Sequence, residues 1–227
     1  MLNVTGSQDL LAPDVAQVVS ELELQLAALS QEAAALRNNS SFTEDATRAL
    51  ACIDRSIAVM RRVILDALDL KELETGTLRL ERAPVELRAI VSAVIGRMEA
   101  GDRLRLAPRG LRPLHVSADE RRLTRAVETL LRIALKCAAT GTPMIVRIDR
   151  HPEHASLSVD AIGTFAGPLA EEILHRNTVP KSDWDAEQLA IYVARETIAA
   201  HGGALGVDPV AQLGARLFVE LPLAHAE

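Results

Sequence analysis

The hydrophobic pattern changes its period near residue 76, and this change limits the possible folds more than any other feature. Before it, apolar residues recur every three or four positions along two arms, as on an amphipathic helix. They are Val15, Val18, Leu22, Leu26, Leu29, Ala33 and Leu36 in the first arm, and Leu50, Ile53, Ile57, Met60, Ile64 and Leu68 in the second. Polar turn residues 38–41 separate the arms, and Thr75-Gly76 is a plausible helix end. Residues 1–76 therefore predict an antiparallel helical hairpin.

Two such helices cannot bury a wide apolar stripe against each other alone. A second copy of the chain would complete a four-helix bundle, so the hairpin predicts a homodimer. The alternative is that the hairpin packs on the C-terminal part of its own chain.

Residues 77–227 predict a separate α/β domain. Short β-like runs occur at Leu78–Leu80, Arg103–Leu106, Leu114–Val116, Met144–Ile148, Ser156–Val159 and Leu217–Leu221. Helical stretches lie between them near residues 85–99, 119–138, 168–176 and 186–201, with Pro84 suited to a first helical turn and His201-Gly202-Gly203 to a helix end. This order predicts a two-layer sandwich with helices on one face of a sheet, and an α+β chain overall.

Charge, cysteine spacing and the length of the apolar runs make several classes of function unattractive for this chain. The net charge of −6 gives no reason to expect nucleic acid or an anionic membrane as the main partner; the arginines at 103, 105, 109 and 112 motivate DNA binding only weakly. Cys52 and Cys137 lack metal-ligand spacing and predict buried thiols rather than a metal site. No apolar run approaches the roughly 20 residues that span a bilayer, and no signal peptide begins the chain, which predicts a soluble cytoplasmic protein.

Several segments, in order, resemble the core of sensor histidine kinases. Residues 67–76 resemble the end of the second dimerisation helix, and residues 80–87 the entry into the catalytic domain. The likeness continues through residues 117–119, 130–136, 157–160, 199–203 and 218–223. The resemblance implies a dimerisation hairpin followed by an ATPase-type domain.

The resemblance also implies a phosphoacceptor histidine on the first helix, within a Ser-His-Glu-Leu-Arg-Thr-Pro-Leu pattern. Ser20 stands at the histidine position and Gln25 replaces the proline. The six histidines are at 115, 151, 154, 175, 201 and 225, so none lies in the hairpin. Phosphorylation of a histidine on this helix is therefore excluded.

The expected nucleotide site is also altered. Ile133 replaces the asparagine that holds Mg²⁺, and isoleucine offers no oxygen ligand. Lys136 is kept, either near phosphates or as an exposed helix lysine; Asp160 is kept, either as an adenine contact or as a strand-end capping residue. Glycines of the two glycine boxes are replaced by Ile162, Thr164, Gln188 and Ala190, whereas Gly214 fits a late glycine. Together with Tyr192, these residues predict a pocket filled by side chains, with no nucleotide, cofactor or metal.

The resulting hypothesis is a catalytically inactive, histidine-kinase-like dimer that binds a response regulator, a kinase or a transcription regulator. The resemblance places such a partner on Ser20, Glu23, Leu24, Ala27, Arg48, Cys52 and Arg55. The alternatives are a histidine phosphotransferase-like enzyme, a response-regulator phosphatase that uses Gln25, a residual ATP-binding kinase, and a pocket for another small molecule.

Overall fold

The chain forms two compact units, Met1–Lys71 and Glu72–Glu227. A computed structural model describes residues 15–37, 43–98, 103–107, 113–139, 141–162, 184–210 and 214–224. The domain boundary predicted after Gly76 lies five residues beyond the division between the units. Within these described residues, no helix is both long and apolar enough to cross a membrane.

The first unit contains two long helices, as the 3.6-residue period predicts. Helix α1 spans Val15–Arg37, and α2 spans Glu44–Thr75, its last turn belonging to the second unit. Helix α2 ends at Gly76, whose positive φ of 65° suits glycine, and the amide of Thr77 donates to the carbonyl of Glu72 at 2.9 Å. The predicted stop at Thr75-Gly76 is confirmed.

The second unit mixes strands and helices in the order β1, α3, β2, β3, α4, β4, β5, α5, β6, β7. The strands are β1 (Ala83–Glu86), β2 (Leu104–Leu106), β3 (His115–Ala118), β4 (Met144–Arg150), β5 (His154–Ile162), β6 (Ala204–Val210) and β7 (Gly214–Pro222). The helices are α3 (Leu87–Arg97), α4 (Glu120–Cys137) and α5 (Ala186–Ala200). The α+β class predicted from the sequence is confirmed.

The strands form a five-stranded sheet of order β2-β4-β5-β7-β6 and a two-stranded sheet of β1 and β3. Among the described strands, β2 and β4 pair in parallel and the other pairs are antiparallel. Alternate residues of β5 and β7 are buried in one core with residues of α3, α4 and α5: Ala155, Leu157, Val159 and Ala161 on β5, and Ala215, Leu217, Val219 and Leu221 on β7. The helices therefore cover one face of the large sheet, since strand side chains alternate between faces.

The start of the second unit differs from the prediction. Residues 77–82 form no strand, so the run Leu78–Leu80 was wrongly predicted as β. Pro84 lies in β1, opposite Ser117 of β3, rather than in the first turn of a helix, and α3 begins at Leu87. Proline lacks an amide hydrogen, and a two-stranded sheet leaves each strand one open edge where that loss is tolerated.

Strand β6 was missed because its sequence has little β character. Gly206 and Pro209 both disfavour strands in isolation. The strand forms because it pairs with β7, where the ring of Phe218 lies over Gly206: a Cβ on this glycine would come within 2.6 Å of the ring. Gly203, just before the strand, is equally restricted, because a Cβ there would lie 2.1 Å from the carbonyl oxygen of Glu220. The helix predicted at 168–176 lies outside the described residues.

Candidate functional site

Helix α4 buries the position at which the resemblance implies a magnesium ligand. Ile133 is only 2% exposed and belongs to the hydrophobic core, as do Leu130, Leu131 and Ala134 on the same helix. Its side chain is held by apolar neighbours and has no oxygen to offer a cation. This part of α4 serves packing.

Lys136, one turn further along α4, is engaged by the protein itself. Its ammonium group lies 2.6 Å from the carboxylate of Glu187 on α5. Burial and the charge of Glu187 raise the pKa of the neighbouring Cys137 thiol to about 11, which keeps that cysteine a neutral thiol at physiological pH. The carboxylate of Glu187 thus acts on both Lys136 and Cys137, and this cysteine, predicted to be buried, is half-buried.

The N-terminus of α5 is closed by a capping box. The carboxylate of Asp185 accepts hydrogen bonds from the amides of Glu187 and Gln188, both at 2.8 Å, and the side-chain oxygen of Gln188 accepts from the amide of Asp185 at 2.8 Å. Helix N-terminal amides are the groups that bind phosphates. Here the amides of Glu187 and Gln188 are bonded to a negatively charged side chain, while Ala190 is buried further along the helix.

The chain's single tryptophan and single tyrosine pack together beside this helix end. The ring centroids of Trp184 and Tyr192 are 4.9 Å apart, and the guanidinium of Arg195 lies 5.5 Å from the centre of the Tyr192 ring. Tyr192 is half-buried. The tyrosine noted in the sequence therefore joins a small aromatic cluster, and Trp184 is a natural fluorescent reporter of it.

Strand register places Asp160 on the face of the sheet opposite the helices. Its neighbours Val159 and Ala161 point into the core, so the aspartate points away from it. Arg147 on β4 and Arg216 on β7 both bind its carboxylate. Burial alone would raise the pKa of Asp160, but the two arginines outweigh this and lower it. A ligand in contact with α4 and α5 would lie on the helix-covered face of the sheet, the face onto which Ala161 points and Asp160 does not.

Ile162, a replacement in the first glycine box, is the last residue of β5. Ile162 is paired with Gly214 at the start of β7, where Gly214 has a φ of 125° that disfavours any side chain. Thr164 lies outside the described residues. Gly214 therefore has a local backbone reason to be glycine.

The predicted partner-binding residues lie on α1 and α2. Ser20 is on α1; Leu24, Ala27, Arg48, Cys52 and Arg55 are exposed, and Glu23 is half-buried. Arg48 lies within 3.6 Å of Glu44 and 3.2 Å of Asp45 on its own helix. The exposure of Cys52 contradicts the prediction of a buried thiol, because its position falls on the outer side of α2.

Of the four arginines considered for DNA binding, Arg103 and Arg105 belong to the described residues. Arg103 donates to the backbone carbonyls of Ala139 and Thr142, whereas Arg105 is exposed on β2. Arg109 and Arg112 lie outside the described residues. Nor do the described parts of the chain bring three or more histidine, cysteine or acidic side chains into a group that could hold a metal ion.

Sequence reasoning missed a buried polar cluster at the start of α4. The carboxylate of Asp119, the N-cap of α4, accepts from the amides of Arg122 at 3.0 Å and Glu81 at 3.3 Å. The guanidinium of Arg122 binds Asp119, the carboxylate of Glu72 at 2.6 Å and the carbonyl of Arg79 at 2.8 Å. Burial would raise the pKa of Asp119, but these hydrogen bonds and the Arg122 charge lower it.

This fold, a helical hairpin followed by a five-stranded sheet under α4 and α5, is that of a sensor histidine kinase core, and comparison with known proteins relates the chain to that class. The sensor protein GacS of Pseudomonas syringae pv. syringae is 25% identical over 192 residues, which cover 78% of this chain and 21% of GacS. No model of a known protein family matches the sequence. The chain spans about a fifth of the length of this relative.

Solved structures show the same fold. Full-length ShkA in complex with AMPPNP is similar with a TM-score of 0.62 at 23% identity, over 93% of this chain and 46% of that one. The Acinetobacter baumannii histidine kinase AdeS gives 0.55 at 17% identity, over 89% and 98% of the two chains. The mycobacterial sensor histidine kinase MprB gives 0.50 at 24% identity, over 64% and 99%. The chain thus has the architecture of these kinases.

Proposed function

We propose that this chain is a catalytically inactive, histidine-kinase-like dimer that acts in two-component-type signalling by binding a protein partner. The observation that carries the first half of this proposal is the closed N-terminus of α5. The observation that carries the second half is the distribution of exposed apolar side chains on α1 and α2.

The residues of the described region do not fit a magnesium nucleotide. A phosphate that approached α5 would meet the carboxylate of Asp185 instead of free amides. Lys136 is paired with Glu187, and Ile133 is packed in the core. The Asp185 cap, the Lys136–Glu187 pair and the buried Ile133 each oppose a different part of Mg-ATP. Restoring the kinase residue at one of these positions would therefore leave the other two obstacles in place. Ser20, at the phosphoacceptor position, cannot form a phosphohistidine.

Apolar residues recur at heptad spacing on α1 and α2. In a single chain, about half of these apolar side chains are buried. On α1, Leu26 and Ala33 are buried; on α2, Leu50 and Ile57 are buried. The alternate heptad positions are exposed: Leu22, Leu29 and Leu36 on α1, and Ile53 and Met60 on α2. Seven of the eight large hydrophobic side chains exposed in the described residues lie on these helices. A second copy would cover the exposed half, as in a four-helix bundle.

The dimer is tested by charging one exposed heptad position. We expect the wild-type chain to sediment at twice its 24.5 kDa mass and Leu29→Glu to sediment as a monomer, because a carboxylate cannot be buried unpaired in the bundle seam. Leu24→Glu is the matched control, since Leu24 is 71% exposed and lies off the heptad stripe. A monomeric wild type, or an unchanged mass for Leu29→Glu, would contradict the dimer.

The same two variants separate dimerisation from partner binding. Purified receiver domains of response regulators are the probe, and Leu24→Glu is expected to weaken their binding at least tenfold while it leaves the dimer intact. Equal binding by wild type and Leu24→Glu would place the partner elsewhere on the chain.

A response-regulator phosphatase is the second candidate function. The observation that favours it is the exposed amide of Gln25, one turn beyond Ser20, which is free of burial and suited to orienting a water molecule. This activity would shorten the lifetime of a phosphorylated receiver domain in the presence of the wild-type chain, and Gln25→Ala would abolish the effect. If the chain only binds its partner, the phosphorylated receiver domain should have the same lifetime with the wild-type chain as with Gln25→Ala.

A further inference from the structure

His201 ends α5 in a fully buried position where both of its ring nitrogens are occupied. The Nδ1–H group donates to the carbonyl of Thr197 at 2.7 Å, and Nε2 accepts from the amide of Asp119 at 2.9 Å. An Nε2 atom that accepts a hydrogen bond carries no proton, so the ring is neutral in this arrangement. His201, predicted from the sequence to lie at a helix end, does so as a neutral ring that joins two helices.

The partner of His201 is itself a hub. Asp119 caps α4, and its carboxylate also binds the amide of Glu81 and the guanidinium of Arg122. Arg82 donates to the carbonyl of Ala200, the residue before His201, at 2.5 Å. We call His201, Asp119, Arg122 and the segment Arg79–Arg82 the His201 latch. The latch joins the N-terminus of α4, the C-terminus of α5 and the segment that follows α2.

We propose that the His201 latch loses stability in mild acid, because a proton on Nε2 breaks the hydrogen bond that the Asp119 amide donates to the ring. The proton comes from solvent and binds the Nε2 lone pair, so two N–H groups then face each other. The positive ring is opposed by the charges of Arg82 and Arg122. The Asp119 carboxylate favours it, but Arg122 and two backbone amides already occupy that carboxylate. This device is independent of nucleotide or partner binding.

The direction of the pH effect follows from where the ring is buried. Burial lowers the pKa of His201 in the folded chain, and Arg82 and Arg122 lower it further, against the opposing effects of the Thr197 hydrogen bond and Asp119. In the open latch the ring has an ordinary pKa near about 6.5. The open form therefore takes up the proton first as the pH falls. The latch has its full stability above that pH and loses it as the pH falls towards the lowered pKa of the closed form.

Amide hydrogen exchange at Asp119 measures the latch directly. We expect protection of this amide in the wild-type chain, corrected for intrinsic exchange, to fall by up to about tenfold between pH 7.5 and 5.5. In His201→Gln, whose amide does not ionise, protection should be the same at both pH values. His115→Gln is the matched control, because His115 is exposed on the neighbouring strand β3 and lies outside the latch, so this variant should behave as the wild type. Carboxylates ionise at lower pH and do not disturb this range.

A wild-type chain whose Asp119 protection changes less than twofold over this range would overturn the proposal, as would a fall that persists in His201→Gln or disappears in His115→Gln. If His201→Gln does not fold, nitrogen NMR of the wild-type imidazoles decides the question. The proposal requires His201 to remain a neutral Nδ1–H tautomer at the ordinary histidine pKa of about 6.5. A His201 ring that is half protonated at that pH would overturn it.

Discussion

Replacing Ile133 by asparagine, the residue that the kinase resemblance implies, is expected to lower the free energy of unfolding by about 3–5 kcal/mol. The side chain is only 2% exposed among apolar neighbours, so the change removes core packing and buries an amide without hydrogen-bond partners. The variant is also expected to bind no Mg-ATP, because the Asp185 cap and the Lys136–Glu187 ion pair remain. Urea unfolding followed by Trp184 fluorescence measures the first effect, and calorimetric titration the second.

Ile133→Val is the control for this experiment. It keeps the site apolar and should cost only about 1 kcal/mol. An asparagine variant as stable as the valine variant would show that position 133 opens into a polar cavity. That result would contradict the packing role assigned to this residue.

Replacing Arg122 by methionine is expected to cost about 3–5 kcal/mol of unfolding free energy, since it removes one partner of a buried ion pair. The Arg122 side chain is 7% exposed, as is that of Asp119, and the change leaves the Asp119 carboxylate buried without its counter-charge. It also removes the hydrogen bond to the carbonyl of Arg79 and the ion pair with Glu72. Thermal and urea unfolding of the purified variant measure the loss.

The neighbouring Arg121 is the matched control for Arg122, because it is an exposed arginine on the same turn of α4. Arg121→Met should change the unfolding free energy by no more than about 0.5 kcal/mol. Similar losses from the two variants would mean that the cost comes from changing a helix arginine and not from the buried cluster.

Local pattern predicts the long helices well because their stabilising positions are neighbours in sequence. The 3.6-residue period and the helix stop at Thr75-Gly76 each depend on residues that are only a few positions apart in the sequence. The capping box of α5 was equally readable, since Asp185 and Gln188 have the spacing of an N-cap and its N3 residue. Leu157, Val159 and Ala161 alternate with polar residues, and this alternation predicts which side chains of β5 point into the core. It places Asp160 on the face away from the helices.

Features that depend on distant pairing were not readable in the same way. Pro84 lies in a strand because it pairs with Ser117, and β6 forms because β7 supplies its partner and the ring of Phe218. The ion pair of Lys136 with Glu187 joins residues 51 positions apart, and the His201–Asp119 bond joins residues 82 apart. No local period encodes such contacts, so these pairs become visible only in the three-dimensional structure.

The central claim is that this chain has a histidine kinase fold that does not bind nucleotide. Calorimetric titration of the full chain with Mg-ATP and Mg-ADP tests this claim most directly. The capped α5, the paired Lys136 and the buried Ile133 predict no binding heat up to millimolar nucleotide. Binding with micromolar affinity would contradict the account.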